Sequence, residues 1–203
     1  MNIIPKTKDK VKLRIKRYEQ VLKKEKRELG DINDGSGKRY LLGILYLLSG
    51  DNDGALKHFE WFEKEFSDDI GEPGQYIAWT LTLLRAGKYK DAKNKLLQTI
   101  LMNLYLVPRL IDIEQAELAI WYGSNIEEKS YIEYIPSEIF DVWNIEEKRW
   151  ALEIYTSEPV QNIRNRYIDL SLELKDTHDI ESRRKILRQI RELEVYDLSS
   201  QLH

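Results

Sequence analysis

The feature that most constrains the fold is a pattern that occurs twice in the first half of the sequence. The segment 'LLSGDNDGALKHF' (47–59) aligns with 'LRAGKYKDAKNKL' (84–96). Matching small or apolar residues lie 37 positions apart: Gly50 and Gly87, Ala55 and Ala92, Phe59 and Leu96. A fixed offset of this kind is typical of structural repeats, in which each unit buries its apolar face against its neighbours.

Helices are predicted on both sides of each repeat turn. The pairs are Tyr40–Ser49 with Asp53–Phe66, around 'GDND', and Gln75–Ala86 with Tyr89–Met102, around 'GKYK'. Apolar residues at helical spacing predict an earlier helix over 7–29. Caps and prolines predict later helices that begin near residues 125, 137, 145, 158 and 180. The sequence therefore predicts an all-α chain.

The repeated residues resemble the tetratricopeptide (TPR) family. Leu42, Gly43, Tyr46, Ala55 and Phe59 stand where that family places Leu, Gly, Tyr, Ala and an aromatic residue. In the second unit the turn 'RAGKYKDA' (85–92) matches closely, whereas Leu83 replaces the Tyr and Leu96 replaces the aromatic residue. The family period is 34 residues, so this chain carries three more between its units.

The resemblance covers residues 36–106 and implies a TPR-like helical-hairpin solenoid. Helix 7–29 would act as an N-terminal capping helix. Residues 107–203 would form a C-terminal helical extension, within a single all-α domain over 1–203. In such proteins the first helix of each unit lines a groove in which peptides dock.

By position, the resemblance places eight residues on this binding face: Tyr40, Ile44, Leu47, Leu48, Ile77, Leu81, Leu84 and Arg85. The face is apolar, so a clamp for a peptide carboxylate is not expected. Exposed apolar patches are uncommon on monomeric proteins unless something covers them. Two occupants stay open: the apolar helix of a partner protein, or the chain's own C-terminal half.

Motifs for catalysis or metal binding are weak. Ser49, Asp51, Asp53, Gly54 and Glu60 approach EF-hand spacing, but a 12-residue calcium loop would delay the second helix of the repeat. The second unit has no equivalent ligands. 'GSGKR' (35–39) fails the phosphate-loop spacing, and the three His residues have no partner at metal-binding spacing. No catalytic, cofactor or metal residue is predicted, which favours a non-enzymatic protein–protein interaction module or adaptor.

Charge provides an alternative function. Residues 6–27 hold eleven Lys or Arg against three acids, a charge of +8 in a chain of −3. Such a segment can bind nucleic acid, and a regulatory subunit of an enzyme complex is a further alternative. The longest apolar run, Tyr40–Leu48, is shorter than the roughly 20 residues that span a bilayer. The absence of Cys fits a cytoplasmic protein.

Overall fold

The computed structural model describes residues 4–198, which are mostly helical and contain no β-strand. The predicted all-α class is confirmed, whereas the solenoid arrangement stays a prediction. The α-helices of the described range are α1 (Lys8–Leu29), α2 (Lys38–Ser49), α3 (Asn52–Glu65), α4 (Pro73–Arg85), α5 (Tyr89–Met102), α6 (Leu106–Leu110), α7 (Glu138–Asp141), α8 (Ile145–Thr156), α9 (Glu158–Asp176) and α10 (Ile180–Glu194).

Contacts divide the chain into two compact units. The first unit comprises the described residues up to Ala92 together with Pro136–Trp143. The second comprises Lys93–Ile135 and the described residues from Asn144 onward. The single domain predicted from the sequence is neither confirmed nor contradicted by this division and stays a prediction.

Helix α1 is defined by caps at both ends. The Thr7 hydroxyl accepts a hydrogen bond from the backbone N–H of Lys10, which satisfies one of the amides left free in a first helical turn. Gly30 ends the helix in the left-handed conformation with φ 73°. Val11, Ile15 and Leu22 are buried, and α1 packs against α2. These three apolar residues lie at helical spacing, the pattern that predicts helix 7–29.

Both repeat turns depend on a glycine with positive φ. Gly50 ends α2 at φ 87°, and Gly87 follows α4 at φ 72°. This left-handed region costs most L-residues roughly 1 kcal/mol or more, but costs glycine little. Both glycines lie in the turns predicted between the two helices of each pair.

Close approach within the first repeat depends on Gly43. A Cβ atom at this position would lie 2.4 Å from Cε1 of Phe59, so α2 and α3 can pack at this distance only without a side chain there. Ala55 and Phe59 are fully buried, and the Phe59 ring stacks on Trp79 of α4 at 5.2 Å. Helix α2 packs against both α3 and α4.

The second unit contains the main departure from the predicted helices. Ser124 is the N-cap at the predicted helix start and accepts a hydrogen bond from the Ile126 amide, whereas Glu127 accepts from the amide of Gly123, one residue before the cap. However, the helices that follow are 3-10 helices, Asn125–Glu127 and Lys129–Tyr134. An extended residue, Glu128, separates them. Ile135, which precedes Pro136, is also extended, as expected of a residue before proline. The predicted α-helix is therefore replaced by two short 3-10 helices.

Candidate functional site

The structure buries four of the eight residues of the predicted binding face and leaves the other four half-buried. Ile44 and Leu47 on α2, with Ile77 and Leu81 on α4, are buried. The other four are half-buried: Tyr40, Leu48, Leu84 and Arg85. Helices α2 and α4 pack side by side, so the structure brings these residues to neighbouring helices. We call this set of eight residues the repeat face.

A short segment from later in the chain packs against the same two helices. Helix α7 contacts both α2 and α4, and the guanidinium of Arg85 donates a hydrogen bond to the carbonyl oxygen of Val142 at 2.8 Å. Ile139, Phe140 and Trp143 are buried. Residues 136–143, from the chain's own C-terminal half, thus pack against the two helices that carry the predicted face.

Local hydrogen bonds explain why this segment forms a helical turn. The backbone amides of Ile139 and Phe140 donate to the carbonyls of Pro136 and Ser137, and that of Val142 donates to Glu138. The last carbonyls of a helix lack partners within the helix. Arg85 provides one for Val142 from the neighbouring α4. The end of this helical turn is therefore capped by a side chain of α4.

Tyr40 has a structural partner at one end of the repeat face. Its hydroxyl donates to Asp69 at 2.7 Å, and Arg39 donates to the same carboxylate at 2.9 Å. Arg39 also lies over the Tyr40 ring, 4.4 Å from its centroid. Burial, together with the bond to Asp69, raises the pKa of Tyr40 to about 12. This cluster ties the connection between α3 and α4 to the start of α2.

The charge state of Asp69 follows from the same contacts. Burial acts to raise its pKa, but bonds from the Gly71 amide, the Tyr40 hydroxyl and the Arg39 guanidinium outweigh burial and lower it. Asp69 is thus a carboxylate held by three donors. Tyr40 therefore helps to hold the α3–α4 connection in place.

The residues with EF-hand-like spacing have a different role in the structure. Asp51 caps α3 by accepting from the Gly54 amide at 2.8 Å, and α3 begins at Asn52, inside the span that a calcium loop would occupy. Across residues 4–198 no group of three or more His, Cys, Asp or Glu side chains is placed to hold a metal ion. The turn between α2 and α3 therefore caps and begins a helix, as the repeat pattern predicts.

His58 is a buried, neutral side chain. Its Nε2 atom lies 2.8 Å from the Arg39 carbonyl oxygen and must carry the proton to donate there. Burial lowers the pKa of His58 to about 4, although the bond to Arg39 acts in the opposite direction. The ring therefore connects α3 to the start of α2 in its uncharged form.

The helices of the described chain include none that combines the length and apolar character needed to cross a bilayer.

Comparison with known proteins found no matching family model, no matching curated protein and no matching solved structure. The TPR resemblance therefore rests on the residues of this chain alone and stays a prediction.

Sequence reasoning located the short helix near 137–143 but did not assign it to the repeat face. The signal was present in 'PSEIFDVW' (136–143), where four large apolar residues follow a proline within eight positions. Its pattern is too short for a period to show which face is buried. Only the three-dimensional structure shows that α7 packs against α2 and α4.

Proposed function

We propose that this chain is a non-enzymatic TPR-like interaction module whose repeat face holds a short apolar helical turn. Residues 136–143 are its intramolecular ligand, and a partner protein binds by replacing them with a similar segment. The observation that carries the proposal is the packing of α7 against both α2 and α4. The absence of cysteine fits a cytoplasmic setting for such a module.

The repeat geometry supports this assignment. Glycine turns with positive φ occur at both aligned positions, and Gly43 allows Phe59 to pack directly onto α2. In a TPR-like arrangement, α2 and α4 would be the first helices of the two units, which are the helices that bind peptides. Those are the two helices against which α7 packs.

The intramolecular segment also indicates the chemistry of the partner. Its buried residues are Ile139, Phe140 and Trp143, and Glu138 and Asp141 are the acids of the same helical turn. We therefore expect the partner to present a short helix with large apolar residues at positions i, i+1 and i+4, with acidic residues beside them. Helix-in-groove recognition of this kind depends on a few apolar anchors.

A peptide added in trans tests this proposal. The probe is residues 134–145, 'YIPSEIFDVWNI', carrying a fluorescent label. The host is a variant with Ile139→Asp and Phe140→Asp, which releases the intramolecular segment. We expect the released variant to bind the peptide about tenfold or more tightly than the unmodified chain, because a tethered ligand competes at an effective concentration near millimolar.

Two matched controls accompany the peptide experiment. A peptide that carries the same two aspartates should not bind. Ile145→Asp, at a residue that is 74 % exposed and lies just outside 136–143, should leave binding as in the unmodified chain. If the released variant loses its helical circular-dichroism signal, or stays folded without binding the peptide, the repeat face is ordinary core and the proposal is wrong.

A second candidate, nucleic-acid binding, is favoured by the solvated side of α1. Lys12, Lys16, Lys23 and Arg27 are exposed there and follow one another at helical spacing. Deleting α1 would remove buried Val11, Ile15 and Leu22 from the first unit, so charge reversal is the cleaner test. A salt-dependent shift of an oligonucleotide that disappears with Lys12→Glu and Lys16→Glu would support this function, and no binding at low salt would exclude it.

A further inference from the structure

A separate pocket lies on the side of α2 away from Ile44 and Leu48. It is a cleft of about 340 Å³ with α1 on one side, α3 on the other and α2 at its base. Leu42 and Tyr46 of α2 contribute to its lining. Rotation of about 100° per residue along the helix places these two residues on the side opposite Ile44 and Leu48. The cleft is therefore independent of the repeat face.

The floor of the cleft is apolar. Leu22 of α1, Leu42 of α2 and Ile32 of the connecting loop line it, and all three are buried. Trp61 of α3 forms part of one wall and is half-buried. Its ring is held in place by contacts with His58 at 5.2 Å and Phe66 at 5.4 Å. A bulky apolar group could fill this space and exclude water from it.

Two acids at the cleft already have partners. Glu19 accepts a hydrogen bond from the Tyr46 hydroxyl at 2.7 Å, and Glu65 forms an ion pair with Lys26 at the rim. Burial, together with the bond to Glu19, raises the pKa of Tyr46, so this hydroxyl stays protonated and continues to donate. Neither carboxylate is then available to the other two lysines of the lining.

Those two lysines supply unpaired positive charge on opposite walls. Lys23 lies on α1 and Lys57 on α3. Both are exposed, and neither has an ion-pair partner among the described residues. An apolar floor between two unpaired cations is complementary to a large apolar side chain flanked by carboxylates.

We propose that the cleft binds an acidic segment of a partner protein, with a bulky apolar side chain between α1 and α3 and carboxylates beside Lys23 and Lys57. Nucleic acid fits less well, because only two separated lysines, Lys23 and Lys57, line the cleft without an ion-pair partner, whereas a phosphate chain is bound along a continuous groove of positive charge. The apolar floor also gives a phosphate group no partner. This inference does not depend on the proposed use of the repeat face.

The test uses the unmodified chain, with residues 136–143 in place. The probe is a short synthetic peptide in which one tryptophan and one leucine are flanked by glutamates, and a second peptide has glutamines instead. Binding is followed by fluorescence anisotropy and mapped by ¹⁵N NMR shifts. We expect the glutamate peptide to shift residues of α1 and α3, and Lys23→Glu with Lys57→Glu to weaken it by about tenfold or more.

A matched pair of lysines on the same helices provides the control. Lys24→Glu with Lys64→Glu makes the same change in net charge at exposed residues that do not line the cleft. We expect this variant to bind within about twofold of the unmodified chain, since exposed charges contribute little at a distance. Trp61→Ala should weaken binding as much as the cleft variant, because it removes an apolar wall.

Three results would overturn the proposal. The first is equal weakening by both lysine pairs, which would mean a general attraction of the basic surface. The second is equal binding of the glutamate and glutamine peptides. The third is a single-stranded oligonucleotide that competes with the peptide and depends on the same two lysines, which would assign the cleft to nucleic acid. Circular dichroism of each variant confirms that its helices remain.

Discussion

The two sides of α2 differ in what surrounds an apolar surface. On the repeat face, Ile44 and Leu47 are buried and α7 packs against the same helix. On the cleft side, Leu42 is also buried, but the walls around it end in Lys23 and Lys57. A large apolar surface is unfavourable in water, and here helix α7 packs against both α2 and α4. An apolar surface with charged walls can stay open, since the long lysine stems cover part of it while their ammonium groups remain hydrated.

The largest effect that tests this difference is expected from Leu81→Glu. Leu81 is fully buried in α4, and a carboxylate there would be left without a partner. We expect the free energy of unfolding to fall by about 4 kcal/mol or more, measured by urea denaturation. Leu13→Glu, at a residue of α1 that is 69 % exposed, should change it by less than about 0.5 kcal/mol. Similar stability of both variants would mean that the repeat face is open.

Phe140→Ala should weaken the docking of residues 136–143. Truncation of a buried phenylalanine typically lowers the free energy of unfolding by about 3 kcal/mol or more. In this chain we expect the loss to weaken first the contact of α7 with α2 and α4. The measurement is the affinity of the 134–145 peptide, which should rise as its intramolecular competitor is lost. Ile145→Ala is the control at an exposed residue. An unchanged peptide affinity would show that Phe140 does not hold the segment in place.

Low pH should destabilise the folded chain through His58, which lines the cleft. Its pKa is lowered to about 4 in the folded chain and is about 6.5 in an unfolded chain. The unfolded chain therefore takes up this proton first, and stability falls as pH decreases from about 6.5 to about 4, by at most about 3 kcal/mol. His58→Gln should lose this part of the pH dependence in urea titrations at pH 7 and pH 5. An NMR titration of His58 with a midpoint near 6.5 would contradict the assignment.

Gly43→Ala tests the contact between α2 and α3, which both sides share. The added Cβ would meet the Phe59 ring at 2.4 Å, and we expect a loss of about 2 kcal/mol from overpacking. Gly35→Ala is the matched control, because a Cβ there has no neighbour within 4 Å. Equal melting temperatures for the two variants would show that Phe59 moves aside freely.

The smallest effect on stability is expected from the lysines of the cleft. Lys23→Glu with Lys57→Glu changes exposed side chains without ion-pair partners, so the free energy of unfolding should change by less than about 0.5 kcal/mol. Thermal denaturation monitored by circular dichroism measures this. A large loss would mean that the two lysines support the fold and are not free to bind a ligand.

Much of the first unit was predictable because its signals are local. Gly50 and Gly87 lie in the predicted turns between helices, and helix α2 ends at the predicted Ser49. The cap at Ser124 was also correctly predicted, but a cap fixes only the first turn and does not decide between an α-helix and a 3-10 helix. The position of residues 136–143 depends on contacts across more than fifty residues of sequence, such as Arg85 with Val142. No local sequence pattern predicts such a long-range contact.

The measurement that tests the central claim most directly is native-state hydrogen exchange. The backbone amides of Ile139, Phe140 and Val142 are hydrogen-bonded within the segment, so they exchange only when it opens. If residues 136–143 are a replaceable ligand, these amides should exchange through a local opening about 2 kcal/mol or more below the opening free energy of α2 and α4. Exchange of all three helices at one common free energy, with the same denaturant dependence, would show that the segment is permanent core and would contradict the account.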